Sequence, residues 1–289
     1  MAKQPAFVRI QMKPRFCYWS VVDGDYALMA RVMVKSARRA GVGTDFHIWT
    51  DRPIAGAKCH RAGSFKKGGC FFKLNFMRHE IRKFKYDYYI WLDTDTYFVR
   101  DPGDILRVLH ESPVHLTLEC DLGSPKNRRL EWWHCPNQKL MRLMRDQGVA
   151  SDRIFNCNGG FWIVHHDVIE TVFDLAFDFF HYCKAKGFLF VDEPLLAYAM
   201  HRLCPNPEAH TLRATKDVWA SDWTGKYRDV LPDGRRWRYK DYFTEEQFLI
   251  NPAIVHCMRS KQALIAESLS RDCAIARGVS PHLSPLPVK

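Results

Sequence analysis

Residues 88–92 form a short run of aromatic and branched apolar side chains that ends in two carboxylates, Asp93 and Asp95. Such a composition over so short a span favours a buried strand rather than a helix. Side chains alternate along an extended chain, so both carboxylates project to the same side where the strand leaves the sheet. A divalent cation would relieve their repulsion, and hard oxygen ligands suit Mg²⁺ or Mn²⁺. The stretch predicts a strand with a metal site at its end, and a solvated turn is the structural alternative.

The start of the chain predicts the class of fold. Residues 16–22 are typical of a strand, residues 27–40 of an amphipathic helix and residues 46–50 of a second strand. Strand, helix and strand in this order imply a parallel sheet with a right-handed crossover. We therefore expect an α/β protein with a mostly parallel central sheet flanked by helices.

Later segments continue the alternation of strands and helices. Residues 113–118 favour a strand, residues 154–164 two short apolar pieces around an Asn-Gly-Gly turn, and residues 167–186 a long helix. Two further short strands are predicted, at residues 188–191 and 252–256. No internal repeat or clear linker separates these elements, which predicts a single domain over residues 1–279, followed by a proline-rich tail over residues 280–289.

Three polar residues follow the first predicted strand: Asp23, Asp25 and Tyr26. In open α/β sheets, ligands bind beyond the carboxyl ends of the strands. Tyr26 could stack on a nucleotide base and a carboxylate could bond its edge or its ribose; a helix cap and a core tyrosine are the structural alternatives.

Carboxylates and a histidine also follow the later predicted strands. Asp192 and Glu193 come after residues 188–191, and His256 ends the strand at residues 252–256. Pro194 suits the first turn of a following helix. Each of these residues is therefore expected at the carboxyl end of a strand.

Composition limits the partners and the location. The formal net charge of +11 favours anionic partners such as nucleotides, nucleic acid or anionic membrane surfaces.

No apolar stretch approaches the ~20 residues needed to span a bilayer, and the first residues lack the apolar core of a secretory signal. Ten cysteines without a Cys-x-x-Cys pair predict free thiols. We expect a cytoplasmic protein, in solution or at the inner face of a membrane.

The order of these motifs resembles that of nucleotide-sugar glycosyltransferases with the GT-A fold, a Rossmann-like domain. It is most similar to glycosyltransferase family 8, the family of glycogenin and bacterial lipooligosaccharide galactosyltransferases. The residues that carry the resemblance are Tyr26, Phe72-Lys73-Leu74, Trp91-Leu92-Asp93-Thr94-Asp95, Asn158-Gly159-Gly160, Asp192-Glu193-Pro194 and Val255-His256 with the basic residues beyond.

The resemblance implies a role for each matching residue. Asp93, Asp95 and His256 would hold Mn²⁺ or Mg²⁺ against the diphosphate of the donor, a UDP-sugar above all. The other implied donor contacts are Asp23, Asp25 and Tyr26 on the base and ribose, Lys73 and Asn158 on the sugar, and Arg259 and Lys261 on the phosphates. The family usually has Gly directly after its late His, whereas Cys257 stands here.

The same resemblance implies a retaining transfer of a sugar to an acceptor hydroxyl. Asp192 or Glu193 would position the acceptor or stabilise an oxocarbenium-like transition state, and the sequence leaves open which of them does so. The acceptor is equally open among a glycan, a lipid-linked glycan and a nucleic acid.

Two other functions share some of these features. A nucleic-acid-binding protein would use the basic and aromatic stretches at residues 126–133 and 219–240 to neutralise and stack a strand. A nucleotidyltransferase would use the same metal and diphosphate chemistry but would release pyrophosphate.

Overall fold

A computed structural model of the chain describes residues 14–22, 24, 26–61, 74, 78, 80–103, 106, 113–204, 218–221, 237–240, 247–250 and 252–257. Four α-helices lie within these ranges: α1 (Tyr26–Arg39), α2 (Asn137–Asp146), α3 (Ile169–Ala185) and α4 (Asp192–Leu203). The domain boundary at residue 279 and the tail over residues 280–289 lie outside the described residues.

The central sheet has six strands: β1 (Phe16–Val21), β2 (Asp45–Thr50), β3 (Lys58–Arg61), β4 (Tyr88–Leu92), β6 (Val114–Asp121) and β9 (Phe155–His165). Their order is β3-β2-β1-β4-β9-β6. The first four run parallel, whereas β9 lies antiparallel to both β4 and β6. The prediction of an α/β fold with a mostly parallel sheet is therefore confirmed.

Alternate side chains of the strands build two apolar layers. On one face, Tyr18 and Ile90 pack against the buried side of α1. On the other, Trp19 and Trp91 pack edge to face with ring centroids 4.9 Å apart, and α2, α3 and α4 cover this layer. Helices thus flank the sheet on both faces, as the sequence predicts.

A second, three-stranded sheet continues from the carboxyl end of β4. It contains β5 (Thr96–Phe98), β10 (Trp219–Ser221) and β13 (Ile254–His256), in the order β10-β13-β5. Two further antiparallel strand pairs lie within the described residues, β7 (Glu131–Trp132) with β8 (Cys135–Pro136), and β11 (Trp237–Lys240) with β12 (Gln247–Ile250). Because β5 starts directly after Asp95, the small sheet brings β13 to the end of β4.

Two predictions about local structure are wrong. Residues 154–164 do not form two pieces around a turn, because β9 is one continuous strand through Asn158, Gly159 and Gly160. Residues 188–191 do not form a strand, since the chain there is irregular and α4 begins at Asp192. Residues 188–191 pair with none of the described strands, so no ladder of hydrogen bonds holds this apolar run in a sheet.

Candidate functional site

Three side chains from distant parts of the chain meet where β4 leaves the central sheet. Asp93 and Asp95 follow β4, and His256 ends β13, opposite Thr96 of β5. His256 Nε2 lies 3.1 Å from Asp95 Oδ1 and 4.0 Å from Asp93 Oδ2. One ligand atom from each residue lies within 4.8 Å of the others, a spacing that one metal ion can bridge. We call these three residues the acidic-histidine triad.

The two carboxylates of the triad differ in environment. Asp95 is buried, whereas the Asp93 side chain is 31% exposed. The indole Nε1–H of Trp91 donates to Asp93 Oδ1 at 3.0 Å, so Oδ2 is the Asp93 oxygen nearer to the imidazole. The backbone N–H of Asp93 donates to the Gly160 carbonyl at 2.8 Å. The site therefore has a buried ligand on one side and an accessible one on the other.

His256 is held by its own neighbours. Its ring is buried, its Nδ1 lies 3.5 Å from Ser221 Oγ, and its centroid lies 5.0 Å from that of Trp219. A hydrogen on Nδ1 directed at Ser221 would leave Nε2 as the lone-pair nitrogen, which a metal ligand requires. Pairing of β13 with β5 and β10 thus fixes both the position and the orientation of the imidazole.

A bulge in β9 accounts for the two consecutive glycines. Leu116 of β6 pairs with Trp162, whereas Thr117 pairs with Asn158, so residues 159–161 are extra on the β9 side. A Cβ on Gly160 would lie 2.8 Å from His256 Cε1, and one on Gly159 would lie 3.0 Å from Asp192 Oδ2. A side chain at Gly160 would displace the imidazole, and one at Gly159 would press on the side chains of Asp192 and Glu193, so both glycines let the strand approach these groups closely.

Asp192 and Glu193 lie in the first turn of α4, where acidic side chains interact favourably with the helix dipole. Asp192 is buried, and its Oδ1 accepts from the Glu193 backbone N–H at 3.0 Å. Glu193 Oε1 accepts from the Gly159 N–H at 2.9 Å, and Oε2 accepts from Trp133 Nε1–H at 2.7 Å. The Asp-Glu pair is therefore attached to the same bulge that contacts His256.

Glu119 of β6 adds a third carboxylate, which sequence reasoning missed. Asn158 Nδ2 donates to its Oε1 at 2.9 Å, and Asn156 Nδ2 donates to its Oε2 at 3.4 Å. Asn158 Oδ1 in turn accepts from the Gly160 N–H at 2.8 Å. Glu119 therefore orients Asn158, and Asn158 braces the bulge beside His256. The available signal was the pair Asn156 and Asn158 with their spacing of two, which places both amides on one side of a strand.

Burial and proximity disfavour the ionised form of the carboxyl groups near the bulge. Burial, and then the charges of Glu119 and Asp192, raise the pKa of Glu193 to about 8, despite the hydrogen bonds from Gly159 and Trp133. Burial raises the pKa of Glu119, while Asn158 and His256 act in the opposite direction. Such a site favours any positive charge that forms or binds within it.

Among the other predicted site residues, only Tyr26 and Asn158 lie in the described part of the chain. Tyr26 opens α1 directly beyond β1, the neighbour of β4, and is half exposed. Asn158 is buried, and its described contacts are with Glu119 and Gly160. The remaining predicted residues, Asp23, Asp25, Lys73, Arg259 and Lys261, lie outside the described residues.

Comparison with known proteins gives no family assignment. No protein-family model matches this sequence, and no curated protein matches it. The function must therefore be argued from the site itself.

Among the described residues, no helix combines the length and the apolar character needed to cross a bilayer. Eight cysteines lie in the described residues and all of them are free thiols, as predicted for this part of the chain.

The chemistry of the triad fits a hard or borderline divalent cation. Two carboxylates and one imidazole are suitable ligands for Mn²⁺ or Mg²⁺, and three protein ligands leave further positions for a substrate oxygen or water. Because Asp93 is partly exposed, a substrate can reach the open side. The three carboxyl groups at the bulge are a second acidic group, which the bulge connects to His256 of the triad.

Proposed function

We propose that this protein is a metal-dependent glycosyltransferase of the GT-A type, which retains anomeric configuration. It would move a sugar from a nucleotide diphosphate donor, a UDP-sugar first of all, to an acceptor hydroxyl. The observation that carries the proposal is the convergence of Asp93, Asp95 and His256 where the central strand ends. The family resemblance implied this set, whose members lie far apart in the sequence.

The sheet supports the same proposal. Parallel strands β1, β2 and β4 present their carboxyl ends on the side of the triad, which is where open α/β sheets bind nucleotides. Tyr26 lies at the end of β1, the strand beside β4. A nucleotide bound beyond β1 would place its diphosphate toward the end of β4.

The triad and the bulge would have separate tasks in transfer. When bound, a divalent ion supplies positive charge that neutralises the leaving nucleoside diphosphate. Asp93, Asp95 and His256 would hold that ion at the end of β4. Asp192, Glu193 and Glu119 would stabilise positive charge at the anomeric carbon as the bond to the diphosphate breaks, because such a charge favours the ionised form of their carboxyl groups. Asp192 and Glu193 are the candidates to contact the sugar or the acceptor directly.

A thermal-shift series with the full chain tests this proposal. A donor that binds only the folded state adds about 2.7 kcal/mol of stability at one hundred times its Kd. We expect a UDP-sugar to raise the melting temperature with Mn²⁺ and to lose this effect in EDTA. Asp95→Asn should abolish the metal-dependent shift, whereas the control Asp174→Asn, an exposed position on α3, should keep it. Equal shifts with and without metal would contradict the assignment.

Product analysis separates the competing enzyme. A glycosyltransferase releases a nucleoside diphosphate from the sugar nucleotide, whereas a nucleotidyltransferase releases pyrophosphate.

Five predicted donor contacts lie outside the described residues and remain predictions: Asp23, Asp25, Lys73, Arg259 and Lys261. Alanine variants at these positions in the thermal-shift assay would test them.

A further inference from the structure

The tip of the β7–β8 hairpin has an unusual backbone. Its two turn residues, Trp133 and His134, have φ values of 51° and 57°, which are the left-handed values that two-residue hairpin turns of type I′ require. Asn and Gly usually take these positions, since larger residues lose about 1–2 kcal/mol each there. A tryptophan in such a turn needs a compensating interaction.

The compensating interaction connects the hairpin to the candidate site. Trp133 Nε1–H donates to Glu193 Oε2 at 2.7 Å, and the other oxygen of that carboxylate accepts from the Gly159 N–H. The indole nevertheless remains 37% exposed. One edge of the ring is therefore fixed to the carboxylate group of the site while much of its surface stays open to solvent.

The loop that carries the hairpin is braced by its own amides. Asn127 Nδ2 donates to the Asp121 carbonyl at 3.0 Å, and Asn137 Nδ2 donates to the Asn127 carbonyl at 2.8 Å. The Asn137 N–H donates to the carbonyl of Leu130, whose side chain is 56% exposed. The exposed indole is thus presented by a preorganised support, which lowers the entropy cost of binding.

We propose that Trp133 and Glu193 form the acceptor subsite and that the acceptor is a glycan, with a hexopyranose ring stacked on the indole. This inference rests on the proposed function. A pyranose has one face of C–H groups and an edge of hydroxyl groups, and the site offers it an amphipathic ring beside a carboxyl group. A sugar stacked there would bring a hydroxyl to Glu193, next to the bulge that contacts the triad.

The carboxyl groups at the bulge favour a sugar over a nucleic acid. The indole Nε1–H of Trp133 donates to Glu193 Oε2, so a ligand stacked on the indole also meets a carboxyl group, which can bond the hydroxyls of a sugar but offers no positive charge to a phosphodiester. Lys126, Arg128 and Arg129 are exposed in the preceding part of the loop, so single-stranded nucleic acid is the competing occupant. The binding test below therefore includes a single-stranded oligonucleotide.

Direct binding of saccharides tests the inference independently of the donor. The probes are maltose, cellobiose and lactose, titrated into the full chain while tryptophan fluorescence is recorded. We expect at least one probe to change the emission of the wild type and to bind Trp133→Ala at least tenfold more weakly. Trp133→Phe, which keeps a ring, should bind with intermediate affinity. Leu189→Ala, an exposed apolar position elsewhere, is the control and should bind as the wild type does.

Two further variants and one further ligand complete the test. Trp133→Asn relieves the backbone strain, so it should fold with an undiminished melting temperature and still fail to bind saccharide. The UDP-sugar thermal shift should persist in Trp133→Ala; its absence from the wild type would contradict the proposed function, not the saccharide subsite. Saccharide binding that ignores Trp133, or no binding by any probe, would overturn the inference. So would tight, salt-sensitive binding of a single-stranded oligonucleotide that is lost in Trp133→Ala.

Discussion

Gly160→Ala should damage the candidate metal site although it adds only one methyl group. The new Cβ would lie 2.8 Å from His256 Cε1 and 3.0 Å from His256 Nδ1, where ordinary contact begins near 3.4 Å. The ring must therefore move by about 0.6 Å, the difference between 3.4 and 2.8 Å. Asn158 Oδ1, 3.0 Å from the same Cβ, blocks the alternative of moving the methyl group away. Metal sites tolerate ligand displacements of only about 0.2 Å.

Two measurements follow from this displacement. We expect the affinity for Mn²⁺, measured by isothermal titration calorimetry, to fall by about 10–100-fold, the usual effect of disturbing the groups that orient a metal ligand. Urea unfolding should show a loss of about 1–3 kcal/mol from overpacking. The fold itself should survive, because the free energy of unfolding of a domain is about 5–15 kcal/mol.

Gly43→Ala is the matched control for this substitution. No atom lies within 4 Å of a Cβ at Gly43, and its φ is not in the left-handed region. The control should bind Mn²⁺ with unchanged affinity. If Gly160→Ala is folded and binds Mn²⁺ as tightly as the wild type, the argument that the bulge positions His256 is refuted.

Three further predictions concern stability. Glu119→Ala removes the acceptor of two Asn amides and should cost about 1–3 kcal/mol in urea unfolding; Glu119→Gln should cost less. Ser36→Ala removes the hydroxyl that accepts from the Phe98 N–H, and it should also lower the free energy of unfolding by about 1–3 kcal/mol. An unchanged free energy of unfolding would contradict this role of Ser36. Burial lowers the pKa of His201 from 6.5 to about 4. Between pH 6.5 and 4 the unfolded chain therefore binds a proton at His201 that the folded chain does not bind, so stability should fall as the pH drops through this range. His201→Gln should flatten the profile of melting temperature against pH over the same range.

The central strand and the two carboxylates that follow it could be predicted because the signals are local. The apolar run before Asp93 and Asp95 marks a strand, and its alternation places both carboxylates together. The place of His256 followed only from the resemblance, since no local pattern says which strand end it joins. The structure shows the cause: β13 pairs with β5, which starts directly after Asp95.

The bulge and the hairpin could not be predicted because their partners are remote in sequence. Gly159 and Gly160 resemble a turn when their neighbours Asp192 and His256 are unknown. Likewise, a tryptophan at a left-handed turn position contradicts local preference and is explained only by the hydrogen bond to Glu193. Segments whose conformation depends on such contacts are where functional sites depart from local rules.

Anomalous X-ray diffraction from crystals soaked in Mn²⁺ tests the metal centre most directly. We expect one manganese peak at about 2.1 Å, a usual distance for such hard cations, from an oxygen of Asp93, an oxygen of Asp95 and Nε2 of His256. The same soak of Asp95→Asn crystals should lose the peak. A manganese peak elsewhere, or none between these three residues in the wild type, would contradict the proposal that they hold the ion.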